Sequence, residues 1–170
     1  MRPRAAVLLP LVTALLAVLP VPAATAAPGD LTCEVQVQTD FTPPITGSVT
    51  GYAGEVSGSF VNCVSATGQT MQSGVFQGTA TATSTIATPC SVVIRIVATG
   101  TISWTPTASS DFVYVFNTDP AQGLVELSMT ITGGALAGDG MIPVAWFTPN
   151  LDCALTGLRY VSVGGAGTFA

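Results

Sequence analysis

Two stretches of the chain alternate strictly between apolar and polar residues. In residues 31–39, Leu31, Cys33, Val35 and Val37 share one parity, and Glu34, Gln36 and Gln38 share the other. In residues 124–132, Val125, Leu127, Met129 and Ile131 alternate with Glu126, Ser128, Thr130 and Thr132. A period of two places successive side chains on opposite sheet faces, so both read as half-buried antiparallel strands. Residues 91–96 and 112–116 are apolar on both parities and predict central or covered strands. No window beyond the N-terminal segment holds a 3.6-residue period with caps.

Turn formers punctuate these runs, among them Pro43-Pro44, Gly47, Gly51, Gly68, Pro106, Pro120 and Gly133-Gly134. Gly138-Asp139-Gly140 predicts a hairpin turn between 133–137 and 141–147. Eight to ten strands are expected, in an all-β fold. Either an antiparallel β-sandwich of Ig-like or Greek-key type or a small closed β-barrel fits, since alternation does not separate them.

The first residues carry a different signal. Arg2 and Arg4 precede an apolar run, and Ala23-Ala24-Thr25-Ala26-Ala27 offers small residues at the A-x-A spacing. This is the pattern of a secretory signal peptide, expected over residues 1–26 with cleavage after Ala26. Residues 27–170 then form a single secreted β-domain, extracellular and without stable membrane association. That domain keeps two arginines against nine carboxylates and has neither lysine nor histidine, for a net charge of about −7. So few cations make a nucleic-acid surface untenable.

Four cysteines in an exported chain predict two disulfides. Three pairings are open. A weak internal echo favours one bridge in each half, Cys33–Cys63 and Cys90–Cys153: Asn62-Cys63 is followed by Thr67-Gly68, as Asp152-Cys153 is by Thr156-Gly157. No Cys-x-x-Cys and no histidine are present to build a redox or zinc site. No cofactor or metal is expected.

The lack of histidine also removes the Ser-His-Asp and Cys-His mechanisms. A carboxylate pair remains able to cleave glycosidic bonds. Glu55, Glu126, Asp139 and Asp152 are the candidates, although their positions are already explained as solvated charges at turns and on polar strand faces. The expected function is therefore non-catalytic binding of an extracellular ligand, a glycan or a protein, with a small glycosidase as the alternative.

Candidate binding residues are aromatic. An aromatic precedes Thr-Pro three times, in Phe41-Thr42-Pro43, Trp104-Thr105-Pro106 and Phe147-Thr148-Pro149. Proline ends strands, so these aromatics are expected near sheet ends. Trp104, Trp146 and Tyr160 could form a stacking platform for sugar rings; core burial of both tryptophans is the competing reading. Thr79, Thr81, Thr83 and Thr85 should share one strand face. Residues 104–111 are a candidate inhibitory loop.

The Ala/Gly/Thr/Val bias, the absence of lysine and the Ala-rich leader resemble small exported β proteins of high-GC actinomycetes. This compositional resemblance implies no activity. The antitumour chromoprotein carriers of actinomycetes are also small, acidic, disulfide-bonded sandwiches. In those, one bridge closes a short loop, a spacing that differs from the one here, so their ligand site is not carried over.

Overall fold

The structure is a computed structural model that describes residues 31–85 and 89–170. The expected signal segment, residues 1–26, lies outside the described residues. Nine strands make one antiparallel sheet. They are β1 (Leu31–Ile45), β2 (Val49–Val64), β3 (Ser73–Ser84), β4 (Ile94–Thr105), β5 (Ala108–Asp119), β6 (Leu124–Gly134), β7 (Gly140–Met141), β8 (Val144–Pro149) and β9 (Leu158–Phe169). A single helical turn, α1 (Cys153–Thr156), precedes β9.

Strands β1 to β6 form an up-and-down meander in which each pairs with the next. The ring closes through β7 and β9, because β9 pairs with β1 along most of its length and with β7 at Met141. The result is a closed eight-stranded barrel with β8 as an extra strand on β9. Of the two expected architectures the barrel is therefore the one formed. Closure removes the exposed edges that an open sheet would leave over most of the wall.

Closure is uneven. β6 meets β7 at only two positions, Met129 with Met141 and Thr130 with Gly140. Pro143 then interrupts the strand, and β8 continues along β9 without pairing to β6. The barrel wall thus forks at the end near Leu124 and Pro149. The ring of Phe147 reaches inward there and meets Phe116 edge-on, with centroids 5.4 Å apart.

The interior is apolar. Leu31, Val35, Val37, Phe41, Val56, Phe60, Phe76, Ile96, Ile102, Phe112, Phe116 and Phe169 are all buried. Phe60 stacks on Trp104 at 5.2 Å and meets Phe169 edge-on at 5.4 Å. Glycine lets neighbouring backbones approach closely. Gly78 and Gly100 face each other across β3 and β4, and a Cβ on Gly78 would lie 2.1 Å from the Thr99 carbonyl oxygen. Such close approach lets the strands coil tightly enough to close. Tyr114 is also interior, and burial pushes its phenol pKa upward.

The outer wall is polar, with Gln36, Gln38, Ser57, Gln77, Thr79, Thr99 and Thr101 exposed. An apolar inside and polar outside reverse the pattern of a membrane-spanning barrel. Among the described residues, no helix is long and apolar enough to cross a membrane.

Both disulfides are formed as the internal echo favours, Cys33–Cys63 and Cys90–Cys153. The first staples β1 to β2 near the aromatic end of the barrel. The second ties the turn before β4 to α1, at the end where the sheet forks. Each covalent link restricts the unfolded chain and contributes about 2–4 kcal/mol. Two disulfides point to an oxidising, non-cytosolic environment.

The local expectations fared unevenly. The Gly138-Asp139-Gly140 turn does join β6 to β7, with the Gly138 amide donating to the Ile131 carbonyl. Pro106 and Pro149 stand at strand ends as expected, whereas β1 runs on through Pro43 and Pro44 with a register shift between Asp40 and Ile45. Residues 104–111 form a tight β4–β5 hairpin whose tip, Pro106 and Thr107, is exposed.

Candidate functional site

The three aromatics proposed as a platform do not come together. Trp104 is only 4% exposed and packs inside the barrel, where its Nε1 donates to the Ser110 hydroxyl at 2.8 Å. The core reading holds for Trp104, and it is withdrawn as a ligand contact. Trp146 is 68% exposed on the outer wall. Tyr160 is half-buried on the same outer face, four residues along β9 from the strand position opposite Trp146.

Trp146 is held by a glycine. It stands opposite Gly164 in the β8–β9 ladder. A Cβ on Gly164 would lie 2.7 Å from Cζ2 and 2.9 Å from Cε2 of the indole. The ring therefore packs against bare backbone, which buries Gly164 and leaves most of the indole exposed. An indole seated this way is a rigid, amphipathic surface.

From Trp146 two rows of side chains run across the strands. In the first, Trp146 is opposite Gly164, Gly164 opposite Gln36, and Gln36 opposite Ser59. In the second, Thr148 is opposite Ser162, Ser162 opposite Gln38, and Gln38 opposite Ser57. Between them, Val163, Val37 and Gly58 form the floor of an open depression of about 350 Å³. Its flanking side chains are amides and hydroxyls, with one indole at the end and no charge.

The amide of Gln38 is fixed. Its Nε2 donates to both carboxylate oxygens of Asp40, at 2.8 and 3.1 Å, and its Oε1 accepts from the Ser162 hydroxyl at 3.4 Å. The Asp40 carboxylate therefore sets which end of the amide faces the depression. Asp40 also stands opposite Glu55 in the β1–β2 ladder, so two carboxylates adjoin on the outer wall.

The four carboxylates considered for glycosidase chemistry fall on separate elements. Glu55 lies on the outer wall of β2, and Glu126 lies on β6, where it accepts from Asn117. Asp139 is buried in the β6–β7 turn rather than solvated. Asp152 precedes α1 and is gripped by the Arg159 guanidinium at 2.8 and 2.9 Å. The Asn150 amide, followed by Arg159, holds the Asp152 carboxyl below the usual carboxylate range. Among the described residues no group of three or more His, Cys, Asp or Glu side chains could hold a metal ion.

No protein-family model, curated protein or solved structure matches the chain.

The sequence reading singled out Trp146 but not Gly164, Gln36, Gln38, Ser57 or Ser59. Their signal was present as the polar parity of β1 and the Ser57-Gly58-Ser59 run. What the sequence lacked was the pairing of β1 with both β2 and β9, which makes these residues neighbours.

Proposed function

We propose that the chain is a secreted, non-catalytic binding module that holds a polysaccharide on the outer wall of its barrel at Trp146. One observation carries the reading: an indole packed on Gly164 and 68% exposed, beside a depression flanked by amides and hydroxyls. A sugar ring has an apolar C–H face and a rim of hydroxyls. The indole suits the first, and the Gln, Ser and Thr side chains suit the second. The tripartite N-terminal pattern and the two disulfides support export.

Binding to insoluble polysaccharides, followed by titration with soluble oligosaccharides, tests this reading. Trp104 is buried and Trp146 exposed, so changes in quenchable fluorescence report on Trp146 alone. Retention by at least one polysaccharide is expected, with Trp146→Ala weakening it about tenfold or more. Equal retention of wild type and variant, or no retention at all, refutes the reading.

A protein partner is the second reading. Among the described residues the outer edge of β8 pairs with no strand, and Val144 at its start and Ile142 just before it are 87% and 82% exposed. An extended peptide could add to such an edge through backbone hydrogen bonds. Val144→Lys would then abolish capture of an extended peptide, and unchanged capture refutes this reading.

A further inference from the structure

Resting on the polysaccharide reading above, we infer that the ligand is an uncharged glycan laid across the strands, from Trp146 on β8 to Ser57 and Ser59 on β2, and not along β9 toward Tyr160. The depression itself sets the direction. It ends at Thr148 and Ser162 on the Tyr160 side, and Tyr160 does not line it. Across the strands the second row continues through Ser162 on β9 and Gln38 on β1 to Ser57 on β2, and the first resumes beyond Gly164 at Gln36 and reaches Ser59. Beyond Ser59 the first row meets Val75 on β3, a side chain 63% exposed.

The length follows from sheet geometry. From β8 to β2 is three strand spacings, roughly 14 Å, which is about three sugar rings end to end. Each ring beyond the one on Trp146 would meet a pair of polar side chains, first Gln36 with Gln38, then Ser59 with Ser57. Gln38 is the specificity-determining member. Its amide is held by Asp40, so it presents its carbonyl oxygen beside the Ser162 hydroxyl and selects a sugar hydroxyl that donates there.

The charge class follows from what surrounds the trough. No charged side chain lines it, and the nearest charge behind Gln38 is the Asp40 carboxylate, with Glu55 opposite it. Arg159 is occupied by Asp152, and Arg95 lies away on β4. An anionic glycan would meet like charge and no cation.

The test is a series of variants titrated with cello-, xylo-, laminari- and N-acetylated chito-oligosaccharides of two to six units, with oligogalacturonates as the anionic counterpart. Circular dichroism and thermal melts verify that each variant is folded. Affinity for a neutral series should rise until the chain spans the trough, then level off. Gln38→Ala and the double variant Ser57→Ala/Ser59→Ala should each weaken binding about tenfold, and Tyr160→Ala should leave it within about twofold. Added salt should have little effect on an uncharged ligand. Weakening by Tyr160→Ala with the serine pair silent would place the ligand along β9 and overturn the direction. Tighter binding of oligogalacturonates would overturn the charge class. Binding that ignores Trp146→Ala, or no binding in any series, refutes the underlying polysaccharide reading, and this inference with it.

Discussion

Trp104 and Trp146 are seated by the same local device on opposite sides of one wall. Each stands opposite a glycine on the neighbouring strand, Gly74 on β3 and Gly164 on β9. In each case a Cβ on that glycine would lie 2.7 Å from an indole ring carbon. The difference is parity. Trp104 comes directly before Thr-Pro and points inward, as do Phe41 and Phe147 in the same slot. Trp146 comes one residue earlier in its motif, and in a strand one residue moves a side chain to the other face. A one-position offset thus turns a core anchor into an exposed platform.

The largest expected contrast is in stability. Trp104→Ala should cost about 3–5 kcal/mol, because it empties a site packed by Phe60 and Phe169. Trp146→Ala should stay within about 0.5 kcal/mol, since its ring packs only on the surface. Chemical denaturation of the two variants measures both values. Comparable losses would mean that the platform is structural and that its exposure is incidental.

A smaller contrast concerns the indole N–H. Trp104 Nε1 donates to Ser110, whose hydroxyl in turn donates to the Ala135 carbonyl. Ser110→Ala would leave a buried donor unpaired and should cost about 1–3 kcal/mol. Ser59→Ala, a half-buried hydroxyl on the outer wall, should cost under about 0.5 kcal/mol. Denaturation midpoints at equal slope decide it.

Most of the fold was legible because it depends on local alternation. The polar and apolar parities of β1 and β6 appear in the structure as its outer and inner faces, except at Val125, which is exposed where the wall forks. Barrel and sandwich could not be separated, because closure rests on long-range pairings, β1 with β9 and β7 with β9, that leave no mark on the pattern within any one strand. The site was half legible for the same reason. Parity marks Trp104 as core, since it shares its face with Ile102 and Ala98, but Trp146 sits in a run apolar on both parities, with Val144 on its own face and Ala145 and Phe147 on the other, so alternation leaves its side open. The trough needed four strands in register, and only the structure supplies that.

The two glycines give the finest discrimination. Gly74→Ala forces a methyl against an indole that is walled in by Phe60 and Phe169, so neither ring nor strand can yield without strain. A cost of about 1–3 kcal/mol is expected, as for other overpacked cores. Gly164→Ala makes the same clash with an indole that has open solvent above it. That ring can lift, so stability should change by less than about 0.5 kcal/mol. The lifted ring is displaced from its seat beside the trough, however, and Trp146 emission and quenching should change together with glycan affinity. A thermal melt and a quenching titration on the same two proteins read both effects. If Gly164→Ala lowers stability as much as Gly74→Ala does, Trp146 is clamped rather than perched. If it alters neither emission nor affinity, the glycine floor is not what presents the ring.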